Sequence, residues 1–207
     1  MSRFTYEKND NNAKYETYEW DNTWIDHADD KERKRVLYVG DSISCGTRNI
    51  ATALTNEKIL FDGFGTSKAL DNPFFKAALT VFANEEERRD AVLFNNGLHG
   101  WHLNDEAEYG YYFEEMVKFM IDEFKGTPLF VVLTTHIRDE EREKRVIIRN
   151  KVARDIAQKY DLPVIDFYSV SLKVANLLSP DGVHFTQKGY EALANEAIRS
   201  IGEVVDK

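Results

Sequence analysis

The sequence predicts an α/β fold, a three-layer α/β/α sandwich around a parallel sheet of about five strands. Three observations predict it. Short, almost continuously apolar runs recur after residue 35, as strands buried on both faces require. Stretches with apolar residues at three- and four-residue steps separate them, which is the period of a helix packed on one side. Polar, turn-forming and titratable residues gather just after the runs. That is the carboxyl edge of the sheet, where open α/β sheets bind their ligands.

Residues 1–35 come first and differ from the rest, being rich in Asn, Asp, Glu and aromatics without clear periodicity. Tyr15, Tyr18, Trp20 and Trp24 argue against a disordered tail, because disorder is usually poor in aromatics. The segment is expected to lie across the domain surface as an extended arm. The basic run Lys31–Arg35 reads as a solvated lead-in. Strands follow at Val36–Val39, Ile59–Phe61, Ala91–Phe94, Leu129–Thr134 and Val164–Asp166. Between them, Tyr109, Phe113, Met116, Met120 and Phe124 mark one helix face, and Ile148, Val152, Ile156 and Tyr160 another. Glu85–Asp90 reads as a solvated helix end. Tyr190, Leu193, Ala194, Ala197, Ile198 and Ile201 share one face of the last helix. No repeat or Pro/Gly-rich linker divides residues 36–207, so they are expected to form one domain of flavodoxin-like winding.

Composition narrows the partners. The 207 residues are 43% hydrophobic and 30% charged, ordinary for a globular protein with one core. The formal net charge of -9 argues against nucleic acid or anionic membrane as the main partner, since both reward clustered Lys and Arg. A single cysteine, Cys45, excludes an intrachain disulfide, a Cys-based zinc site and a redox pair. The N-terminus has no apolar signal-peptide core, and the longest apolar run, Pro128–Leu133, is too short to span a bilayer. A soluble, cytoplasmic protein is expected.

Two segments carry chemistry. Val36–Gly46 is a buried-strand pattern that ends abruptly in Gly40-Asp41-Ser42, so a serine stands where the helix over Ile43–Leu54 begins. Serine is a favoured helix N-cap, and that is its structural alternative. The same place also aims backbone N–H groups and the positive end of a helix dipole at a developing oxyanion. Near the other end, Asp181-Gly-Val-His184 puts a histidine and a carboxylate in one short loop. The acid could hold the imidazole through Nδ1 and leave Nε2 for Ser42, the arrangement of an activated nucleophile. A G-x-S-x-G elbow is absent, since Ser44 stands two residues after Ser42. His99, Trp101, His102 and His136 read as rim residues of the pocket rather than metal ligands, because no zinc signature joins the histidines. Thr47-Arg48 stands where a phosphate loop needs Lys-Ser/Thr. Cys45 reads as a small core residue.

With these segments the chain resembles the GDSL/SGNH hydrolases, a family named for blocks carrying Ser, Gly, Asn and His. Gly40-Asp41-Ser42-Ile43 matches the first block, with Ile in place of Leu, and Asp181-Gly-Val-His184 matches the fifth. The second resembles Phe64-Gly65-Thr66-Ser67, which implies Gly65 N–H as an oxyanion donor. The third, usually G-x-N-D, resembles Leu93–Gly100, which implies Asn95 as the side-chain donor, with Asn96 as its fallback. The resemblance runs from about Val36 to the C-terminus. It implies the α/β/α SGNH fold and a serine esterase with nucleophile Ser42, base Asp181–His184 and oxyanion donors Ser42, Gly65 and Asn95, without metal or organic cofactor. The aromatic supply leans toward a short-chain, acetyl-type ester of a carbohydrate or similar polar alcohol. A lysophospholipase or thioesterase, and a non-catalytic glycan-binding module, are the alternatives.

Overall fold

The computed structural model describes residues 15–205. Its sheet has six strands, β1 Asp21–Trp24, β2 Lys34–Gly40, β3 Ile59–Thr66, β4 Ala91–Phe94, β5 Leu129–Val132 and β6 Val164–Ile165, in the order β1-β3-β2-β4-β5-β6. Strands β3 to β6 pair in parallel with their neighbours around β2, and only β1 is antiparallel. The helices are α1 Ser42–Leu54, α2 Phe75–Glu86, α3 Glu106–Glu123, α4 Glu140–Lys159, α5 Phe167–Lys173 and α6 Gln187–Val205.

The two-residue period of a strand divides the core. Leu37 and Val39 of β2 join a cluster with Phe75, Leu79, Phe113, Met116 and Ala157, from α2, α3 and α4. Val36 and Tyr38 join a second cluster with Ile43, Ala51, Phe167, Leu193 and Ala197, from α1, α5 and α6. Strands β2, β4 and β5 feed both helical layers in this way, which is why Val36–Val39, Ala91–Phe94 and Leu129–Val132 are apolar throughout.

Several boundaries differ from the sequence reading. Strand β3 runs five residues beyond Phe61, through Asp62-Gly63-Phe64-Gly65-Thr66. An aspartate and two glycines hide the strand in the sequence, yet Asp62 is fully buried because Arg35 Nη1 donates to both its carboxylate oxygens, at 2.9 and 2.8 Å. Arg35 is accordingly 3% exposed and part of β2, not of a solvated lead-in. Glu86 too is buried rather than solvated, with Arg89 Nε 2.7 Å from its carboxylate. Leu133 and Thr134 do not extend β5, which ends at Val132, and Asp166 leaves β6 to accept from Ser169 N and cap α5.

The first 35 residues supply a strand that the sequence reading did not find. Residues 15–20 are irregular, and β1 then pairs with the carboxyl half of β3, Asp21 opposite Thr66 and Trp24 opposite Gly63. The four residues of β1 are all exposed, so no alternation of apolar residues marked them. Among the described residues no helix is long and apolar enough to cross a membrane.

Candidate active site

Strand β2 ends at Gly40, and the chain turns directly into α1. Asp41, not Ser42, is the N-cap: its carboxylate accepts from Ile43 N at 2.9 Å. An aspartate satisfies the helix end better than most residues, and it releases the next hydroxyl from that duty. Ser42 is thus the first residue of the helix, at the positive end of its dipole.

Ser42 meets the loop before α6. His184 Nε2 lies 2.8 Å from Ser42 Oγ, and His184 Nδ1 lies 2.9 Å from Asp181 Oδ2. The other Asp181 oxygen accepts from Val183 N at 2.9 Å and His184 N at 3.0 Å. Partial burial works to raise the Asp181 carboxyl, but the Val183 amide and the ring and amide of His184 prevail and hold it below its ordinary value. It is therefore an anion wherever His184 is to act as a base, and it orients the ring through Nδ1. Arg138 braces this loop from outside, donating to the carbonyls of Pro180 and Ser179 and taking its own amide bond to Gly182 O at 2.8 Å. Residues 42, 181 and 184, far apart in the chain, make one hydrogen-bonded relay.

A cleft of about 350 Å³ opens at Ser42, lined by Trp20, Asp21, Asn22, Ser42 and Cys45. Three of these five belong to the N-terminal segment. Cys45 is half-buried on α1, and burial pushes its thiol up, away from the reactive thiolate.

The other predicted site residues make contacts of their own. Asn95 Nδ2 donates to Val132 O at 2.8 Å and Thr134 Oγ1 at 3.0 Å, so both amide hydrogens are taken on the β5 side. Asn96 turns the opposite way and donates to Lys68 O at 2.9 Å. Gly65 lies within β3, opposite Asn22 and Gly40. A Cβ on Gly65 would stand 2.2 Å from Cys45 Sγ and 3.6 Å from Asp41 O, so this strand residue lies against the start of α1.

Trp101 is 3% exposed and packed beneath three guanidinium groups of α4, those of Arg142, Arg145 and Arg149, at 4.6–5.1 Å from its ring. Arg149 also takes the carbonyls of Gly97, His99 and Gly100, folding this loop inward. His99 is 1% exposed and faces Glu16 and Trp20. His102 pairs with Asp71 at 3.0 Å. His136 pairs with Glu143 at 2.8 Å, and the Tyr168 hydroxyl donates to that same carboxylate oxygen. Among the described residues, the lining of the cleft at Ser42 does not include His99, Trp101, His102 or His136. Each of these three histidines has a carboxylate partner of its own, Glu16, Asp71 and Glu143. The residues sequence reasoning did not find are Asp21 and Asn22, and only their neighbour Trp20 signalled them.

Sequence comparison matches no protein-family model and no curated protein. Solved structures do match. A lipase/acylhydrolase from Enterococcus faecalis superposes with a TM-score of 0.67 at 22% identity, covering 84% of this chain and 98% of that one. A member of the lipolytic protein G-D-S-L family from Veillonella parvula gives 0.65 at 18%, over 82% and 98% of the two chains. Axe2, an acetylxylan esterase from Geobacillus stearothermophilus, gives 0.63 at 16%, over 82% and 94%. The chain has the fold shared by these G-D-S-L lipases, acylhydrolases and acetylxylan esterases.

Proposed function

We propose that this chain is a serine esterase of the GDSL/SGNH type. The observation that carries the reading is the relay Ser42 Oγ···Nε2 His184 Nδ1···Oδ2 Asp181, with both contacts under 3 Å. Ser42 attacks the ester carbonyl as His184 Nε2 takes its proton. The tetrahedral adduct collapses when His184 returns that proton to the alcohol, leaving an acyl-serine. Water gives a proton to His184, attacks the acyl carbon, and the acid departs as Ser42 regains its hydrogen. Asp181 stays ionised throughout and stabilises the imidazolium.

The oxyanion is held by the Ser42 N–H at the helix terminus and by the Asn96 amide. Asn96 follows β4 and Lys68 follows β3, so the bond between them passes over the end of β2, where Ser42 emerges. Its nitrogen keeps a second hydrogen for the substrate, while Asn95 has spent both of its own.

The substrate in this reading is a short-chain, acetyl-type ester of a carbohydrate or similar polar alcohol. A cleft walled by Asp21, Asn22 and one indole supports it, since such a wall offers hydrogen bonds and a single aromatic face rather than an apolar groove for a long chain. The acetylxylan esterases among the structural neighbours point the same way. A fluorophosphonate probe tests the nucleophile: it labels the wild type and not Ser42→Ala, and equal labelling of both ends the proposal. A series of p-nitrophenyl esters tests the acyl group: activity highest at acetyl supports it, and a maximum at octanoyl or beyond refutes it.

A further inference from the structure

We propose that strand β1 is the wall that decides which acyl group the cleft accepts, and that Arg48 is the positioning residue that sets where this wall stands. The inference rests on the esterase reading and deepens it. The direction of the cleft comes from the layers. Helix α6, with the His184 loop before it, packs on α1 and against β4 and β6, whereas β1 lies beyond β3 on the other side of α1. Ser42 therefore stands between its base and the β1 wall. His184 must hand its proton to the departing alcohol, so the alcohol lies on the His184 side. The acyl group is left the side of Trp20, Asp21, Asn22 and Cys45.

This wall is tied down from two directions. On the β3 side, Ser67 bonds both main-chain groups of Trp20: Ser67 N donates to Trp20 O at 3.1 Å, and Trp20 N donates to Ser67 Oγ at 2.8 Å. Thr66 Oγ1 and Lys68 Nζ donate to the Asp21 carboxylate at 2.6–2.7 Å. From α1 comes Arg48, 4% exposed, whose Nη1 donates to Asn22 O at 3.2 Å and Nη2 to Asn22 Oδ1 at 2.5 Å. Among the described residues it has no carboxylate partner, so a buried guanidinium directs its hydrogen bonds to one wall residue.

Strand β3 is shaped to let it through. A Cβ on Gly63 would lie 2.2 Å from Arg48 Nη1, and one on Gly65 would lie 2.2 Å from Cys45 Sγ. Ser42, Cys45 and Arg48 recur every three residues on α1, so the nucleophile, the cleft floor and the wall's anchor form one stripe facing this strand. A shift of Asn22 moves the acyl boundary without touching the Ser42–His184 contact.

The test holds the alcohol constant and varies the acid: kcat/KM for p-nitrophenyl butyrate over that for p-nitrophenyl acetate, in wild type, Arg48→Lys and Asn22→Ala. Lysine keeps the charge but offers a point donor that cannot fork onto both Asn22 oxygens. The expected result is a rise in the butyrate-to-acetate ratio of about tenfold in both variants, the scale of one or two methylenes gaining room. General damage to fold or nucleophile lowers both esters together and leaves the ratio where it was, so an unchanged ratio in variants that remain folded overturns the proposal. Asn22 lies on an exposed strand, so Asn22→Ala decides alone if Arg48→Lys does not fold. A wild type that neither hydrolyses these esters nor takes up a fluorophosphonate overturns the esterase reading, and the wall with it. A wild type that does both while the ratio stays constant overturns the wall alone.

Discussion

Asn95 and Asn96 show how much one position decides at the end of a strand. Their amides part just beyond β4, one donating to Val132 O and Thr134 Oγ1 on the β5 side and the other to Lys68 O after β3. Asn96→Ala is expected to lower kcat by about 10²–10³, the scale of one oxyanion donor, with little change in KM. Asn95→Ala is expected to act through stability instead, because it strips partners from Val132 O and Thr134 Oγ1 inside the core. Steady-state kinetics together with thermal melts separate the two, and a kcat loss confined to Asn95→Ala reverses the assignment. For Ser42→Ala, where Asp41 keeps the cap, the melting temperature should stay near wild type while kcat falls by about 10⁴–10⁶. Loss of fold in that variant contradicts the division of labour between cap and nucleophile.

At the scale of the element, the loop before α6 is a preassembled turn. Gly182 has φ +76°, and a Cβ there would stand 2.8 Å from Arg138 Cβ. Gly182→Ala therefore carries both backbone strain and a clash, and it strikes between Asp181 and His184. The expected outcome is a fall in kcat that exceeds any loss of thermal stability, because the strained turn holds Asp181 and His184 in register while Phe185 still anchors the loop in the core. Arg138→Ala removes the brace on Ser179 and Pro180 and is expected to act in the same direction, less severely. Equal kcat in wild type and Gly182→Ala would show that the loop does not need its turn. This element was legible in the sequence because its parts are local: Asp, Gly and His within four residues. The long β3 was not, because its continuation past Phe61 depends on Arg35 reaching Asp62 from another strand.

The whole molecule carries a charge cluster at the end of the sheet away from Ser42. Asp62 and Glu86 are buried beside Arg35 and Arg89. Burial raises the Glu86 carboxyl from its ordinary 4.5 to about 8; the Arg89 guanidinium opposes that shift and Asp62 adds to it. Between those values the unfolded chain has released this proton and the folded chain keeps it. The stability that Glu86 contributes is therefore complete below about pH 4.5 and declines as the pH rises toward about 8. Thermal melts across this window should show that decline in wild type and a shallower one in Glu86→Gln. Parallel curves for the two proteins would rule out a proton held on Glu86.

What the sequence determined by itself is what periodicity and local spacing encode. Apolar runs and helical stripes gave the three-layer fold, because burial on two faces or one leaves a pattern in the chain. Ser42 and Asp181-Gly-Val-His184 named the relay, because a strand end and a short loop are local objects. The tertiary structure alone decided the rest. It turned Trp101 and His99 inward, since Arg149 reaches them from a helix some fifty residues away in the chain. It sent the Asn95 amide to Val132 and Thr134 and the Asn96 amide to Lys68. It made a polar, unpatterned N-terminal stretch into a sixth strand and the wall of the cleft, since the partners that hold β1 (Ser67, Lys68 and Arg48) lie tens of residues along the chain. Contacts of that range leave no period in a sequence, because each is one meeting of two segments that only the folded topology brings together.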